Sequence, residues 1–537
     1  MDVLTPTVCP GAICPDLVEG SDLADYGKYL ADESRRSGTA DALAFPRSTA
    51  EVCGAVNWAK DRDLGITVSG ARTGIAAGAV PDGGLAVSLE RMNRVLGVRT
   101  AGDGTFLVRC QSGVLLSDLQ HSVQSGTFAD AASFDAESLA AVESLKTQSL
   151  FYPPDPTETS ATVGGTVACN ASGAHTFRYG PTRPYVHGLT VVLGDGRVLA
   201  LERGRDVVEQ SGEFLLATAD GQEAVVRIPE YTWPTTKNSA GYYAAEGMDI
   251  LDFFVGSEGT LGIVTEIEVR AIPAPEMSCA VVTFWTSEEQ AVAFTETLQD
   301  GRDMLSVEAI EYVGPKALSM LRNRRTQLGA TSGVPGCLPE TAHCAIYLDV
   351  GTSRDSYADA LSKLAGVIED HGGSPSTCWS AVERDERERL RHFRHALPET
   401  VNAHIAEIRK TEPSITKLGT DMAVPGGRLV EAIGIYRSAL REAGLDYVIF
   451  GHIGDNHLHV NILPRNAAEY RTGWDLYHRF ADAVVGMGGS PAAEHGIGKL
   501  KTDFLRTLFH DEGVRQMLQI KAAFDPHSRL GKGTLFA

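Results

Sequence analysis

The chain has 537 residues, 43% of them hydrophobic and 22% charged, and a formal net charge of −21. At ~150 residues per domain, this length predicts several domains rather than one core. The acidic balance argues against nucleic acid as a partner, because phosphates bind basic surfaces. The nine cysteines form no C-x-x-C pair, no basic and apolar leader begins the chain, and no apolar run nears the ~20 residues of a membrane span. These features predict a cytoplasmic protein with reduced thiols.

The first half of the chain reads as short strands that alternate with helices. The predicted elements are a strand at 42–45, a helix at 49–62 capped by Ser48 or Thr49, a strand at 66–68, helices of an inserted segment within 117–150, a hairpin at 187–201 and a long strand at 259–273. The D-G pair between apolar runs in "HGLTVVLGDGRVLAL" indicates the hairpin. Together these elements predict an α+β domain that ends near residue 275.

The second half has the pattern of another α+β unit built around a sheet. Its predicted elements are strands at 278–285 and 343–350 and helices at 356–370, 381–405 and 500–523. No repeat or low-complexity tract interrupts them.

Two loops of the first half contain residue types that bind phosphate. In "VSGARTGIAAGAVPDGG" (68–84) glycines follow a strand, so successive N–H groups can face an anion, although a mobile turn has the same composition. In 152–186, Ser, Thr and Gly residues lead into a short helix that is predicted to stop at Gly173. Thr159, Ser160, Asn170 and Ser172 could bind phosphate or ribose there, or act as caps. Two such loops in one domain favour a large diphosphate ligand.

The segment "FGHIGDNHLHVN" (450–461) concentrates polar side chains at a predicted strand, turn and strand. On the second strand His457, His459 and Asn461 share one face because side chains alternate, and His452 faces His459 across the turn. Buried imidazoles need partners, and a metal, an anion or backbone carbonyls can serve.

A carboxylate for these imidazoles is available in "PAAEHGIGKLKTDFL" (491–505), at Glu494 beside His495. Two nitrogens and one oxygen leave open positions on a divalent ion, which is the arrangement of a catalytic metal site. Histidines bonded to backbone carbonyls are the alternative interpretation.

Several segments together resemble a known flavoprotein family. The loop at 69–78, "ATVGGTVACNASG", the following "RYG" and "GSEGTLGIV" (256–264) are similar, in the same order, to the FAD-binding half of the vanillyl-alcohol-oxidase-type (PCMH) flavoproteins. "GHxGDxxxH" followed by "EHGIG" resembles the C-terminal domain of their D-2-hydroxyacid dehydrogenase branch. The resemblance runs from about residue 38 to the C-terminal "KAAFDPHSRLGKG".

The resemblance implies an α+β fold in three parts. These are a two-part FAD-binding domain at 1–275 with an N-terminal extension at 1–37, an α+β cap or substrate domain on an antiparallel sheet at 276–475, and a C-terminal segment at 476–537 that returns to the FAD-binding domain. FAD is expected to bind non-covalently, because the histidine to which some members attach it is missing from the first loop. The FAD-binding residues implied are Ser69, Gly70, Ala71, Arg72, Thr73, Gly74, Pro153, Thr159, Thr162, Gly164, Gly165, Asn170, Ser172, Glu258, Gly259, Ile263 and Val264.

The resemblance also implies a metal and a set of catalytic residues. A divalent ion, zinc with manganese and iron as alternatives, is assigned to His452, His459 and Glu494, and the base is assigned to His495. Arg394 is placed at the substrate carboxylate, and Lys417 and Asn461 are placed near the substrate. A solvated face on a charged helix or loop is the alternative for Arg394 and Lys417.

One position departs from the family pattern. The usual turn Gly-Asp-Gly-Asn is Gly-Asp-Asn-His here, with His457 in place of an asparagine. Whether His457 only shapes the pocket or also binds the metal is left open.

The implied activity is FAD-dependent oxidation of a D-2-hydroxy acid, with hydride transfer to flavin N5 and the hydroxyl proton passing to His495. D-lactate is favoured as substrate, with D-2-hydroxyglutarate and glycolate as alternatives. A quinone, a cytochrome or an electron-transfer flavoprotein is expected to accept the electrons. We expect a homodimer, and attachment to the inner face of the membrane is left open. Competing interpretations are a flavin oxidase, a non-redox relative such as an alkyl-glycerone-phosphate synthase, and a metal-dependent hydrolase.

Overall fold

The structure, a computed structural model, describes residues 3–9, 11–156, 158–302, 304–336 and 338–536. Its strands are β1 (Val3–Leu4), β2 (Thr7–Val8), β3 (Leu17–Glu19), β4 (Ala42–Ala44), β5 (Ile66–Ser69), β6 (Leu85–Ser88), β7 (Val95–Thr100), β8 (Phe106–Gln111), β9 (Leu150–Phe151), β10 (Val186–Val192), β11 (Arg197–Glu202), β12 (Glu213–Ala217), β13 (Glu223–Arg227), β14 (Ile263–Pro273), β15 (Met277–Trp285), β16 (Val307–Val313), β17 (Cys344–Thr352), β18 (Trp379–Ala381), β19 (Leu418–Gly419), β20 (Met422–Ala423), β21 (Tyr447–Gly451) and β22 (His457–Ile462).

The α-helices are α1 (Thr49–Lys60), α2 (Leu116–Ser125), α3 (Ala136–Leu145), α4 (Val163–Ala168), α5 (Thr176–Tyr179), α6 (Glu288–Asp300), α7 (Pro315–Leu328), α8 (Tyr357–Asp370), α9 (Arg384–Ile408), α10 (Leu429–Glu442), α11 (Ala467–Gly486) and α12 (Thr502–Phe524). Short 3₁₀ helices lie at Gly20–Tyr29, Leu89–Arg91, Ala131–Ser133, Arg183–Tyr185, Ile250–Phe253, Gly329–Ser332, Pro375–Thr377 and Ile453–Asp455.

Three sheets form the first half of the molecule. A small sheet has the strand order β3-β4-β6-β5, in which β6 is parallel to both β4 and β5. The main sheet has the order β2-β11-β10-β14-β8-β7, with β9 paired to β14, and its pairs are antiparallel. A third sheet has the order β1-β12-β13. The strands β4 and β6 are buried throughout, as parallel strands covered on both faces usually are.

The second half is built on one antiparallel sheet. Its strand order is β18-β15-β17-β16-β21-β22-β19, with β20 paired to β22. The α+β fold with a cap built on an antiparallel sheet is therefore confirmed. The proposed boundary at 275 lies between β14 and β15, and the division into three domains stays a prediction.

The chain returns to the first half at its C-terminal end. Phe524 at the end of α12 packs its ring against Phe214, Phe253 and Phe254, with centroid distances of 6.1, 6.3 and 5.1 Å. Leu530 then forms a bridge with Ile66 at the edge strand β5. These buried contacts tie the last helix to the same body as the glycine-rich loop.

The local predictions differ from the structure mainly at element ends. Ser48 caps α1, because its hydroxyl accepts a hydrogen bond from the Glu51 N–H, so one of the two predicted caps is confirmed. The helix predicted to stop at Gly173 ends earlier, at Ala168, because Asn170 adopts a left-handed backbone with φ of 45°. The long strand begins at Ile263 rather than 259, since Glu258 and Gly259 also have positive φ and form a turn.

Candidate active site

One cavity of about 470 Å³ lies where the two halves of the molecule meet. Its walls include Arg394, Lys417, His452, His459, Asn461, Glu494 and His495, which are all of the side chains predicted for the metal, the base and the substrate. Ile75 and Ala76, which belong to the glycine-rich loop after β5, line the same cavity. The fold thus brings together residues from five separate segments of the chain.

The hairpin β21–β22 places the predicted metal ligands. Its turn is the 3₁₀ segment Ile453–Asp455 followed by Asn456 in a left-handed conformation, and Gln299 of α6 holds this turn by donating to the Gly454 carbonyl at 2.9 Å. His452 directly follows the first strand, and its ring centroid is 5.5 Å from that of His459 on the second strand. The predicted strand, turn and strand are confirmed.

Glu494 lies against both imidazoles. Its Oε2 is 3.2 Å from His452 Nε2 and 3.8 Å from His459 Nε2. The other ring nitrogen of each histidine is engaged, because His452 Nδ1 is 2.6 Å from a Glu311 carboxylate oxygen and His459 Nδ1 is 2.9 Å from the Thr420 carbonyl. The three free ligand atoms therefore face one another.

These three side chains fit a divalent metal. Four-coordinate zinc sites with bonds of about 2.0–2.1 Å separate neighbouring ligand atoms by roughly 3.3 Å, and the two distances to Glu494 bracket that value. Histidine ligands also commonly donate their second ring N–H to a carboxylate or a carbonyl, as His452 and His459 do here. The set would hold the ion with open positions for a substrate.

A buried aspartate that the sequence analysis missed positions the Glu494–His495 segment. Asp421, between β19 and β20, accepts the backbone N–H groups of Glu494 at 3.0 Å and His495 at 2.9 Å. It also accepts from the Lys501 ammonium group at 3.1 Å, and its Oδ2 lies 3.4 Å from His495 Nδ1. This arrangement leaves His495 Nε2 as the ring nitrogen that can serve the cavity.

Two further charged residues that the sequence analysis missed extend the site. Glu311 of β16 binds His452 with one oxygen and the Arg394 Nε with the other, at 2.9 Å. Lys237 contacts Glu494, because its ammonium group donates a hydrogen bond to the Oε1 of that carboxylate at 2.5 Å. The signal for Glu311 was an acidic residue, one of two with Glu308, inside a fully buried strand, whereas a lone lysine in a loop gives no comparable signal.

Arg394 keeps most of its guanidinium group available. Among the described residues only its Nε is engaged, by Glu311, so the two terminal nitrogens are free to form a fork around a carboxylate. The side chain is 18% exposed and lines the cavity, so it does not lie on a solvated helix face.

Lys417 and Asn461 also face the cavity. Lys417 is an exposed residue whose side chain lines the cavity. The surrounding protein atoms exclude water from its ammonium group, and this desolvation lowers the pKa of the group. Asn461 is 1% exposed, and no described residue donates a hydrogen bond to its amide oxygen. Both side chains are thus available to a ligand.

Burial and neighbouring charges raise the pKa of one imidazole of the site, His452, and lower the pKa of two others, His459 and His495. Burial lowers the pKa of His452, but the carboxylates of Glu311 and Glu494 outweigh it and raise the pKa to about 9. Burial and the adjacent imidazoles lower the pKa of His459 well below its usual value. Burial also lowers the pKa of His495, against the opposing charge of Asp421. A neutral His495 at physiological pH suits a proton acceptor.

The first predicted FAD segment has free backbone donors. Among the described residues none accepts a hydrogen bond from the N–H groups of residues 71–75, while Ser69 ends β5. Arg72 folds back to donate to the Gly70 carbonyl at 2.9 Å, and a Cβ added at Gly70 would meet the Thr162 hydroxyl at 2.1 Å. Free N–H groups on a side-chain-poor loop fit a diphosphate.

The second predicted FAD segment is tied mainly to the protein itself. Thr162 caps α4 by accepting from the Gly165 N–H, and Gly164 has no room for a Cβ beside Ser112. Asn170 accepts from the Arg183 N–H, and the Ser172 hydroxyl lies 3.3 Å from Glu494. Thr162, predicted only as an FAD-binding residue, thus also caps a helix, and Ser172 joins this segment to the predicted metal ligands.

The remaining predicted FAD residues lie near the loops but away from the cavity. Glu258 accepts the N–H groups of Ile497 and Gly498, both at 2.8 Å, and so holds the segment after His495. Pro153 is buried, and Thr159 is exposed with its carbonyl bonded to Ser117. Of the described residues, the cavity is lined by none of those predicted to bind FAD, which are Ser69, Gly70, Ala71, Arg72, Thr73, Gly74, Pro153, Thr159, Thr162, Gly164, Gly165, Asn170, Ser172, Glu258, Gly259, Ile263 and Val264.

Two protein-family models match the chain. "FAD linked oxidases, C-terminal domain" matches residues 274–535, and "FAD binding domain" matches residues 40–142 and 136–202. The chain belongs to the FAD-linked oxidases. It is therefore an FAD-dependent oxidoreductase, which decides against the hydrolase interpretation.

Curated relatives of this FAD-linked oxidase match it along nearly its whole length. A D-lactate dehydrogenase of Anaerostipes hadrus is 28% identical over 97% of this chain and 98% of its own. A D-2-hydroxyglutarate dehydrogenase of Stutzerimonas stutzeri is 27% identical over 100% and 98%. Glycolate oxidase subunit GlcD of Bacillus subtilis is 25% identical over 93% and 89%.

Solved structures share the fold of this FAD-linked oxidase. An alkyldihydroxyacetonephosphate synthase superimposes with a TM-score of 0.62 at 14% identity and covers 98% of this chain and 88% of its own. A 4-ethylphenol oxidase of Gulosibacter chungangensis gives 0.63 at 18% identity, with coverage of 96% and 94%. At these identities the likeness concerns the fold alone. Within the described residues, no helix has the length and apolar character needed to cross a bilayer.

Proposed function

We propose that this FAD-linked oxidoreductase oxidises a D-2-hydroxy acid to the corresponding 2-oxo acid. The observation that supports it is the shared cavity, where the free guanidinium of Arg394, the cluster of His452, His459 and Glu494, and the imidazole of His495 surround one small space. A 2-hydroxy acid offers a carboxylate for the arginine and a hydroxyl for the base. D-lactate is the favoured substrate, with D-2-hydroxyglutarate and glycolate as the alternatives, because the relatives carry these names.

The two cofactors would supply what side chains cannot. When bound, FAD accepts the hydride equivalent and a divalent metal lends Lewis acidity to the substrate oxygens. The free N–H groups of residues 71–75 would hold the FAD diphosphate, and His452, His459 and Glu494 would hold the metal. Zinc is proposed, with manganese and iron as alternatives.

The side chains of the cavity divide the remaining work. Arg394 binds the substrate carboxylate and is itself held by Glu311. His495 Nε2 takes the hydroxyl proton, while Asp421 fixes the ring from its Nδ1 side and from the backbone. Lys417 and Asn461, which also line the cavity, orient the substrate. The substrate thus loses one proton to His495 and one hydride from Cα, which together make the two-electron oxidation.

The test is anaerobic reduction of the bound flavin by candidate substrates. The visible flavin band of the wild-type holoenzyme should bleach with D-lactate, and D-2-hydroxyglutarate, glycolate and L-lactate are compared under the same conditions. His495→Ala should lose this reduction while it retains FAD, because its imidazole accepts the hydroxyl proton. His121→Ala, an exposed position on α2, is the matched control and should behave like the wild type.

The outcomes separate the parts of the proposal. A wild-type enzyme whose flavin is not reduced by any of the four acids contradicts the function. Reduction of His495→Ala at the wild-type rate contradicts the assignment of the base alone. The external electron acceptor, the homodimer, the cytoplasmic location and a membrane association stay predictions.

A further inference from the structure

His457 is a buried imidazole without a hydrogen-bonded partner. Its side chain is 0% exposed, and among the described residues neither ring nitrogen has a hydrogen-bond partner. It stands where the related turn has an asparagine, at the start of β22. A buried polar ring left unpaired is rare in folded proteins, so this position needs an explanation.

The ring lies inside the candidate metal cluster. One ligand atom from each of His452, His457, His459 and Glu494 lies within 4.8 Å of one from every other member. The ring centroid of His457 is 4.5 Å from that of His459 and 5.3 Å from that of His452. Its ring therefore lies at least as close to those of His452 and His459 as these two rings lie to each other.

The surroundings of the ring also match those of the other two imidazoles. His452 and His459 each turn one nitrogen to an oxygen acceptor and the other to the cluster. The Nε2 of His457 lies 3.3 Å from an Asp421 carboxylate oxygen, close enough to pair although not aligned as a hydrogen bond. That orientation leaves Nδ1 for the cluster and gives the aspartate–histidine–metal arrangement common at metal sites.

We propose that His457 is a third imidazole ligand of the divalent metal, so that the ion is held by three histidines and Glu494. The inference rests on the metal site of the proposed function and extends it. A hydrogen bond to Asp421 alone would not account for the position, because it would still leave the second ring nitrogen unpaired in a fully buried side chain. An additional neutral ligand leaves the charge of the site unchanged and raises its affinity for the ion.

The decisive measurement is the number of imidazoles bound to the metal. X-ray absorption of the zinc-loaded and manganese-loaded wild-type holoenzyme should report three, and His457→Asn, which restores the related turn, should report two. Zinc affinity, measured by competition with a chelator, should fall more than about 100-fold in His457→Asn, beyond the ~10–100-fold typical of a lost outer hydrogen bond. His121→Asn is the exposed control and should match the wild type in both measurements.

The other outcomes are equally informative. Two imidazoles in both the wild type and His457→Asn would overturn this inference and leave the two-histidine site standing. A wild-type protein that binds no metal, and whose chelator titration is the same as that of His452→Asn, would overturn the metal site of the proposed function itself. If His457→Asn does not fold, the number of imidazole ligands in the wild type still decides whether His457 binds the metal: three support the inference and two contradict it.

Discussion

Glu311 connects the two ends of the candidate site through a single carboxylate. One oxygen accepts from Arg394, which would bind the substrate, and the other faces His452, which would bind the metal. Burial raises the pKa of this carboxyl, but the charges of Arg394 and His452 outweigh it and bring the pKa down to about 2. Glu311 is therefore ionised at physiological pH, and it fixes which nitrogen of His452 points toward the cluster.

Replacing Glu311 by glutamine should weaken the metal site. The amide offers only one acceptor oxygen for two donors, so either Arg394 or His452 loses its partner. We expect zinc affinity, measured by chelator competition, to fall about 10–100-fold. Glu386→Gln, on the exposed first turn of α9, makes the same change in charge and should leave the affinity unaltered. Unchanged affinity in Glu311→Gln would contradict the link between this carboxylate and the metal.

At the scale of elements, local sequence patterns predicted the side chains that one strand or hairpin brings together. The period-2 alternation and the turn residues of 450–461 were enough to bring His452, His459 and Asn461 to one place. Glu311, Lys237 and Asp421 were missed because their roles arise from pairing between segments far apart in sequence. The end of α4 was missed because the left-handed backbone of Asn170 is fixed by its bond to Arg183, a tertiary contact.

The segment after His495 is seated on the glycine-rich loop by close backbone contact. Gly498 has φ of 55°, and a Cβ there would lie 1.9 Å from the Ala76 carbonyl oxygen. The Lys499 N–H donates to the same carbonyl at 2.8 Å, and Glu258 holds the segment from the other side. This contact sets how near His495 lies to residues 75 and 76.

Gly498→Ala should displace this segment. We expect the free energy of unfolding to fall by more than roughly 1–2 kcal/mol, since the left-handed backbone alone costs that much with a side chain and the clash adds to it. The matched control is Gly434→Ala on the exposed face of α10, where nothing lies within 4 Å and stability should rise by ~1 kcal/mol. Denaturant unfolding of both variants measures the difference, and a Gly498→Ala protein as stable as the wild type would show that the segment is not closely seated.

At the scale of the whole molecule, His175 joins the two halves. Its Nδ1 is 2.5 Å from Asp155 in the first half, and its Nε2 is 3.2 Å from Asp349 on β17 of the cap sheet. Burial lowers the pKa of His175, but the two carboxylates outweigh it and raise the pKa well above its usual value. The protonated ring therefore forms an ion pair with each half.

The docking of the two halves should weaken in alkaline solution. Because the folded pKa of His175 is raised, its contribution to stability is complete below about pH 6.5 and is lost as the pH rises through the raised value. The thermal midpoint of the wild type should exceed that of His175→Gln at low pH, and the gap should narrow as the pH rises. His121→Gln should show no such trend. A gap that stays constant or widens with pH would contradict this role.

The order in which the proposed metal-binding side chains occur along the chain has a consequence for biosynthesis. His452 and His459 lie on a hairpin that pairs locally, but Glu494 and the docking segment around Gly498 come later in the sequence. A ribosome-bound chain that has exposed only the hairpin lacks the carboxylate and one wall of the cavity. The proposed set of ligands is therefore complete only after the chain has been synthesised through Glu494, and a shorter nascent polypeptide lacks the carboxylate.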